Sequence, residues 1–234
     1  MKTVILCGGA GAQGESLRCP KPLVEIAEKP ILLHIVNRYV LFGFREFVLC
    51  LCDRHGMIAE RLSAIEWPRD VSIEMVDMGT MAGAGGHLSG IRERLSDEGF
   101  MVTYGDVLAD IDIRQLVRFH HMHGKIATVS TVLPQNRLGC EIHSGDRNLK
   151  WPEKKRMDSW VTAGFFVFRS TVFHYLDSDG CSGESLSLKR LVRVREVMAY
   201  RHSGYFITAD TVGSVPLPAV DIGLSGNVSA GIFS

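Results

Sequence analysis

The sequence predicts an α/β layer fold, because short apolar runs alternate with segments of helical periodicity along most of the chain. Seven runs have the length and composition of buried strands: residues 3–7, 46–52, 72–76, 100–104, 126–133, 140–143 and 162–168. Six segments have a helical pattern: residues 30–42, 56–64, 86–95, 112–122, 171–176 and 186–195. In the first of these helices Ile31, Ile35 and Tyr39 share one face, which is typical of a helix that packs on a sheet.

Length and charge limit the function classes. The 234 residues are enough for one domain whose core needs no disulfide or metal to fold. The net charge is zero, so no basic field favours a nucleic acid or a membrane as partner. Six cysteines without a C-x-x-C pair are interpreted as thiols of a reducing compartment. With no signal peptide and no long apolar span in the sequence, we expect a cytoplasmic protein.

A glycine-rich loop follows the first predicted strand. It reads Gly8-Gly9-Ala10-Gly11, and Lys21 follows, fixed between Pro20 and Pro22. Glycines leave backbone N–H groups open to an approaching anion. The pattern therefore predicts a phosphate site at the edge of the sheet.

The same loop also matches the dinucleotide pattern G-x-G-x-x-G over residues 9–14. That pattern requires a helix directly after the loop and an acidic partner for the ribose about 20 residues further on. Pro20 and Pro22 leave no room for the helix, and Asp53 comes too late to be the ribose partner. NAD-type binding is therefore disfavoured.

Asp106 follows another apolar strand, directly after Gly105. Open α/β sheets bind their ligands at the edge where such strands end. A carboxylate at that edge suits a Mg²⁺ ion that is shared with substrate phosphates. Asp110 and Asp112 are predicted instead to cap the helix that begins near Ile113.

His120 and His123 lie three residues apart near the end of a predicted helix. That spacing would suit a metal, but a third ligand is missing from the pattern. We therefore expect a histidine pair on the protein surface.

Three blocks of the chain, in order, resemble the sugar-1-phosphate nucleotidyltransferases, and most of all the glucose-1-phosphate cytidylyltransferases. The blocks are Gly8-Gly9-Ala10-Gly11, the segment from Lys21-Pro22-Leu23 to Leu33-His34-Ile35, and Thr103-Tyr104-Gly105-Asp106-Val107-Leu108-Ala109-Asp110. The resemblance implies a three-layer α/β/α sandwich with a mixed, mostly parallel, Rossmann-like sheet of the nucleotide-diphospho-sugar transferase type. It implies one nucleotidyltransferase domain over residues 1–211, followed by a tail, residues 212–234, of unassigned structure.

The resemblance also implies a reaction and its participants. A nucleoside triphosphate, with CTP favoured, and a sugar-1-phosphate would give a nucleotide sugar and pyrophosphate. Lys21 would neutralise the α-phosphate, and Asp106 with Asp210 would hold Mg²⁺. Lys154 would steer the sugar phosphate. Family members commonly form homo-oligomers.

The implied nucleotide-binding residues are Leu6, Gly8, Gly9, Ala10, Gly11, Gln13, Gly85, Tyr104 and Gly105, and the implied substrate-binding residues are Glu153, Lys154, Thr162 and Gly164.

The chain departs from the family in its glycine-rich loop, where Gln13 replaces an arginine that grips the triphosphate. A neutral amide is not equivalent to a planar, always charged guanidinium. Arg18 is a candidate to reach the same phosphates from a reshaped loop. The departure leaves open a second interpretation, a catalytically weakened paralogue that binds a sugar nucleotide or regulates a partner. Residues 83–86 resemble a segment of guanylyl- and thymidylyl-transferring enzymes, so GTP and dTTP remain alternative nucleotides.

Overall fold

Seven stretches of the chain are described by the computed structural model: residues 1–8, 19–52, 55–79, 83–95, 98–133, 160–176 and 188–211. The predicted strand at 140–143 and the tail at 212–234 lie outside these residues. The first two residues of the predicted helix at 186–195 also lie outside them.

Strands and helices alternate along the described chain. The strands are β1 (Thr3–Cys7), β2 (Glu25–Ile26), β3 (Lys29–Pro30), β4 (Glu46–Leu51), β5 (Ser72–Asp77), β6 (Phe100–Tyr104), β7 (Val107–Ala109), β8 (Ala127–Val132), β9 (Val161–Phe168), β10 (Val197–His202) and β11 (Phe206–Thr208). The α-helices are α1 (Ile31–Leu41), α2 (His55–Ser63), α3 (Gly83–Gly90), α4 (Ile113–His123) and α5 (Lys189–Arg193). Short 3₁₀ turns cover Lys21–Leu23, Arg92–Arg94, Ser170–His174 and Ala209–Thr211. Within the described ranges, no helix has the length and apolar character needed to cross a bilayer.

The described strands form one large sheet and two small ones. The large sheet has the order β10-β8-β9-β6-β1-β4-β5. Strands β6, β1, β4 and β5 run parallel to one another, and β10 runs parallel to β8. Strand β9 is antiparallel to both of its neighbours, β6 and β8. The predicted mixed, mostly parallel sheet is therefore confirmed. The small sheets pair β2 with β3 and β7 with β11.

Apolar side chains cover both faces of the large sheet. Ile5 belongs to the core that α1, α2 and α4 cover, whereas Val4 and Leu6 belong to the core that α3 and α5 cover. This division follows from the geometry of a strand, in which successive side chains point to opposite faces. Helices therefore lie on both faces, and the three-layer α/β/α sandwich is confirmed.

Five strands are absent from the predicted set: β10, and the short strands β2, β3, β7 and β11, which have two or three residues each. Strand β10 lies at an edge of the large sheet, and its residues are half-buried or exposed. Its sequence, Val-Met-Ala-Tyr-Arg-His, accordingly lacks the apolar run that marks a central strand. Strand β11 has three residues, too few for a pattern. The predicted helix at 86–95 is divided into α3 and a 3₁₀ turn, and the one at 171–176 is a 3₁₀ turn.

The capping prediction is correct for Asp112 and wrong for Asp110. Asp112 Oδ1 accepts a hydrogen bond from the backbone N–H of Gln115, at 2.9 Å, and so caps α4. Asp110 Oδ1 instead accepts from His202 Nε2 at 2.7 Å. Asp110 directly follows β7, where the chain returning from β10 packs against it.

The surface-pair prediction is wrong for His120, which is 2% exposed. The backbone N–H of Lys125 donates to His123 Nδ1 at 2.9 Å, so the His123 proton is on Nε2, which donates to Thr128 Oγ1 at 2.7 Å. The Thr128 hydroxyl can then donate to His120 Nδ1, at 2.8 Å. Burial lowers the pKa of His120 to about 4, and the nearby His123 adds to the effect.

We expect this histidine to make the fold less stable in mild acid. Below pH 6.5, the ordinary pKa of a histidine, His120 is protonated in the unfolded chain. In the folded protein it stays neutral until about pH 4. The free energy of unfolding should therefore fall between those pH values, by on the order of 3 kcal/mol from this group. Urea unfolding of the His120→Asn variant should show a shallower decline than the parent. The exposed neighbour serves as control: equal declines in His120→Asn and His121→Asn would contradict the assignment.

Candidate active site

The carboxyl ends of β1 and β6 meet at one edge of the large sheet. Leu6 pairs with Tyr104, and the backbone N–H of Gly105 donates to Leu6 O at 2.9 Å. Asp106 follows Gly105 directly, and Gly8 is the first residue of the glycine-rich loop and the only described one. The structure therefore brings together four of the residues predicted to bind nucleotide, while their role in binding stays a prediction.

Gly8 packs tightly against the end of β4. A Cβ atom at position 8 would lie 2.5 Å from both Cβ and Sγ of Cys52, so a larger residue does not fit. Cys52 Sγ in turn lies 3.1 Å from His87 Nε2 of α3, and both side chains are buried. Sequence reasoning missed this pair. Cys52 directly follows β4, the parallel neighbour of β1, and this position in the sequence could have indicated that it lies near the glycine-rich loop.

Asp210 reaches the same edge through the ribbon of β7 and β11. Thr208 pairs with Val107, and the backbone N–H of Ala209 donates to Asp106 O at 2.8 Å. Thr211 closes the turn that carries Asp210: its Oγ1 accepts from Thr208 N at 3.0 Å and donates to Thr208 O at 2.8 Å. The two aspartates, predicted to act together, are therefore neighbours.

Lys21 lies between the two aspartates. Its Nζ is 2.9 Å from Asp210 Oδ2 and 3.5 Å from Asp106 Oδ2. The lysine belongs to a 3₁₀ turn whose other two residues, Pro22 and Leu23, are buried and anchor it. The Lys21 side chain is 17% exposed, so it is held at the site and is not a freely solvated surface charge.

Burial and the ion pairs shift the pKa values of Asp106 and Lys21 in opposite directions. Burial raises the pKa of Asp106 and the charge of Asp210 adds to it, while Lys21 lowers it without cancelling the rise. Burial lowers the pKa of Lys21, but the hydrogen bond to Asp210 and the charges of both aspartates raise it above its ordinary value. Lys21 is therefore a firmly protonated ammonium, and the three side chains carry a net charge of about −1 when both carboxyls are ionised.

The two carboxylates fit a divalent cation. Their Oδ2 atoms converge on one position, which Lys21 Nζ fills here. Mg²⁺ is usually bound through one or two carboxylates together with substrate phosphates. No group of three or more His, Cys, Asp or Glu side chains is placed to hold a metal in the described part of the chain. Further ligands would therefore come from the substrate phosphates and from water.

The other described candidates lie near Tyr104 or on α3. Gly164 packs against the Tyr104 ring, since a Cβ atom there would lie 2.7 Å from Tyr104 Cδ2, and its backbone N–H donates to Thr162 Oγ1 at 3.3 Å. Gly85 lies on α3, two residues before His87. Seven predicted site residues lie outside the described residues, and their roles stay predictions: Gly9, Ala10, Gly11, Gln13, Arg18, Glu153 and Lys154.

Comparison with known proteins identifies the family of the chain. A sequence profile of the nucleotidyl transferase family matches residues 2–194. The chain belongs to this family. It is 33% identical to the glucose-1-phosphate cytidylyltransferase of Salmonella typhimurium, over 91% of this chain and 92% of that protein. It is 32% identical to the mannose-1-phosphate guanylyltransferase catalytic subunit beta of Danio rerio, over 72% of this chain and 49% of that protein. The resemblance to sugar-1-phosphate nucleotidyltransferases is therefore confirmed.

Solved structures of similar fold support the architecture of this nucleotidyl transferase. A UDP-glucose pyrophosphorylase from Acinetobacter baumanii superposes with a TM-score of 0.68 at 15% identity, over 91% of this chain and 90% of that chain. HddC from Yersinia pseudotuberculosis, solved with GMP-PN, superposes with a TM-score of 0.67 at 18% identity, over 92% and 94% of the two chains. These likenesses concern the fold.

The charge balance of this nucleotidyl transferase gives a testable expectation. Burial raises the pKa of Asp106, and the charge of Lys21 lowers it. Replacing Lys21 by Met removes that charge, so the pKa of Asp106 should rise above its value in the parent protein. Carbon-13 NMR titration of the aspartate carboxyl groups measures this shift. The Lys29→Met variant, which removes an exposed lysine, is the matched control. An unchanged Asp106 titration in Lys21→Met would show that the ion pair is not maintained in solution.

Proposed function

We propose that the chain is a Mg²⁺-dependent enzyme that condenses a nucleoside triphosphate, with CTP favoured, and a sugar-1-phosphate. The products are a nucleotide sugar and pyrophosphate. The observation that carries the proposal is the convergence of Lys21, Asp106 and Asp210 at the sheet edge where the glycine-rich loop begins. Family membership supports the reaction type, and the names of the relatives support the substrates.

The reaction is a displacement at phosphorus. An oxygen of the sugar-1-phosphate forms a bond to the α-phosphorus of the nucleotide. The bond from that phosphorus to the oxygen that bridges it to the β-phosphate breaks, and pyrophosphate leaves with the electron pair. Such a step needs positioning and neutralisation of charge and no covalent bond to the protein.

Each residue of the group has a distinct task in this scheme. Asp106 and Asp210 would hold Mg²⁺, which when bound supplies positive charge to the phosphates. Lys21 keeps its proton, because both aspartates raise its pKa, and so offers a permanent positive charge and three N–H donors. The lysine would turn from the carboxylates to the α-phosphate. Backbone N–H groups after β1 would hold the remaining phosphates.

The relatives support CTP as the favoured nucleotide. The chain covers 92% of the cytidylyltransferase from Salmonella typhimurium but 49% of the guanylyltransferase subunit from Danio rerio. GTP and dTTP remain alternatives because residues 83–86 resemble a segment of enzymes that transfer those nucleotides. In this chain the segment lies in α3, which also contains His87.

A second function is favoured by one observation, the glutamine at position 13. A protein that lacks the arginine of the family loop would bind a sugar nucleotide with little turnover and would act as a regulatory paralogue. Loss of one contact to developing charge typically costs about a hundred- to a thousandfold in rate.

Release of pyrophosphate tests the proposed activity. CTP, GTP, UTP, ATP and dTTP are each incubated with Mg²⁺ and a panel of sugar-1-phosphates that includes glucose-1-phosphate. We expect release with CTP, and we expect Asp106→Asn to reduce kcat by about a hundredfold or more. Asp70→Asn is the matched control. It removes a carboxylate from an exposed turn where φ is +63°, a conformation that asparagine tolerates.

The outcomes separate the two functions. Release that Asp106→Asn abolishes and Asp70→Asn preserves supports the enzyme and identifies its nucleotide. No release from any pair, together with measurable binding of a nucleotide sugar, favours the regulatory paralogue. Chelation of the metal by EDTA should stop the reaction, and release that persists in EDTA would contradict the proposed metal dependence.

A further inference from the structure

Asp210 is carried by a very short piece of structure. After β10 the chain leaves the large sheet, and β11 pairs with β7 over three residue pairs, Phe206 with Ala109, Ile207 with Leu108 and Thr208 with Val107. A two-stranded ribbon of this size is at best marginally stable on its own. A slip in its pairing would carry Asp210 away from Asp106, so the register of β11 needs a further constraint.

His202 and Asp110 supply such a constraint at the opposite end of the ribbon. His202 Nε2 donates to Asp110 Oδ1 at 2.7 Å and lies 3.4 Å from Tyr205 O. The His202 side chain is 12% exposed. This contact joins the last residue of β10 to the residue that follows β7, and the turn into β11 begins directly after His202.

Two neighbours hold Asp110 in place, Arg38 at its backbone and Gly204 at its carboxylate. Arg38 of α1 donates from Nη2 to the carbonyl oxygens of Asp110 and Ile111, and from Nε to Ile111 O at 3.1 Å, which fixes the backbone at this point. Gly204 lies directly against the carboxylate, because a Cβ atom at that position would overlap it. The turn can therefore approach Asp110 only without a side chain at position 204.

We propose that His202 is a positioning residue: its hydrogen bond to Asp110 fixes the register of β11 on β7. That register in turn places Asp210 beside Asp106 and Lys21. The three residues of β7 separate Asp106 from Asp110, a distance of roughly 13 Å along the strand. His202 therefore acts through the ribbon and not by contact with the reacting groups. This inference rests on the proposed role of the two aspartates as metal ligands.

Three variants test the positioning role. His202→Leu removes the hydrogen bond, and His202→Gln keeps an N–H donor of similar reach. His174→Leu is the matched control, because His174 is exposed and lies far along the chain from the ribbon. Hydrogen exchange measures the amide of Ala209, which donates to Asp106 O and so reports the register. Electron paramagnetic resonance of the free ion measures the affinity for Mn²⁺, which depends on both aspartates lying close enough to bind one ion.

We expect His202→Leu to speed exchange of the Ala209 amide and to weaken Mn²⁺ binding by roughly tenfold, the lower end of what loss of a supporting contact costs a metal site. His202→Gln should restore both properties, and His174→Leu should change neither. In the pyrophosphate assay His202→Leu should raise the half-saturating Mg²⁺ concentration by a similar factor. A purely structural role would lower the unfolding temperature while leaving Mn²⁺ affinity in the folded protein unchanged.

The exchange measurement keeps this inference separate from the proposed function, since it needs neither substrate nor metal. If Ala209 exchanges equally fast in His202→Leu and in the parent, the positioning role is wrong, whatever the protein catalyses. If Ala209 exchange and Mn²⁺ binding respond as expected but no nucleotide reacts, the positioning role stands and the proposed reaction is wrong.

Discussion

The ion pairs of Lys21 with Asp106 and Asp210 depend on three separate parts of the chain, and the described fold brings those parts to one point. Lys21 and Asp210 are 189 residues apart in sequence. Lys21 is held by a 3₁₀ turn anchored in the core, and Asp106 by the end of a central strand. Asp210 depends on the ribbon of β7 and β11. The site is therefore only as well ordered as the least stable of these three supports, which is the three-residue ribbon.

The topology of the sheet explains why other described candidates lie near this ion pair. Strands β6, β1 and β4 are parallel, so the residues that follow each of them lie at the same edge, among them Asp106, Gly8 and Cys52. Strand β9 is antiparallel to β6, so it begins at the edge where β6 ends. That reversal places Gly164 against Tyr104, and Thr162 lies two residues before it, where its Oγ1 accepts from the backbone N–H of Gly164.

The sequence predicted the central strands of the large sheet, whose residues are buried on both faces. Apolar runs mark β1, β4 and β6, because both faces of these strands pack on a core. The edge strand β10 has no such run, and β11 is too short to carry a period. The sequence does not predict the burial of His120, because it does not show that a threonine on β8 provides the imidazole with a hydrogen-bond partner. Lys21, Asp106 and Asp210 were predicted as site residues from their motifs. The contact of His202 with Asp110 was not, because long-range pairing of two polar residues leaves no local pattern.

Charge balance indicates an order of events at the site. With Lys21 between them, the two carboxylates are already partly neutralised, so a divalent cation that binds to both must compete with an ammonium group. Loss of the lysine contact is unfavourable unless its charge finds another partner in the same partly buried space. In the proposed function, a nucleoside triphosphate would supply that partner and would bring its own bound cation. On that proposal the metal and the nucleotide would enter as one complex, because the phosphates would offer Lys21 a new partner while the aspartates hold the metal.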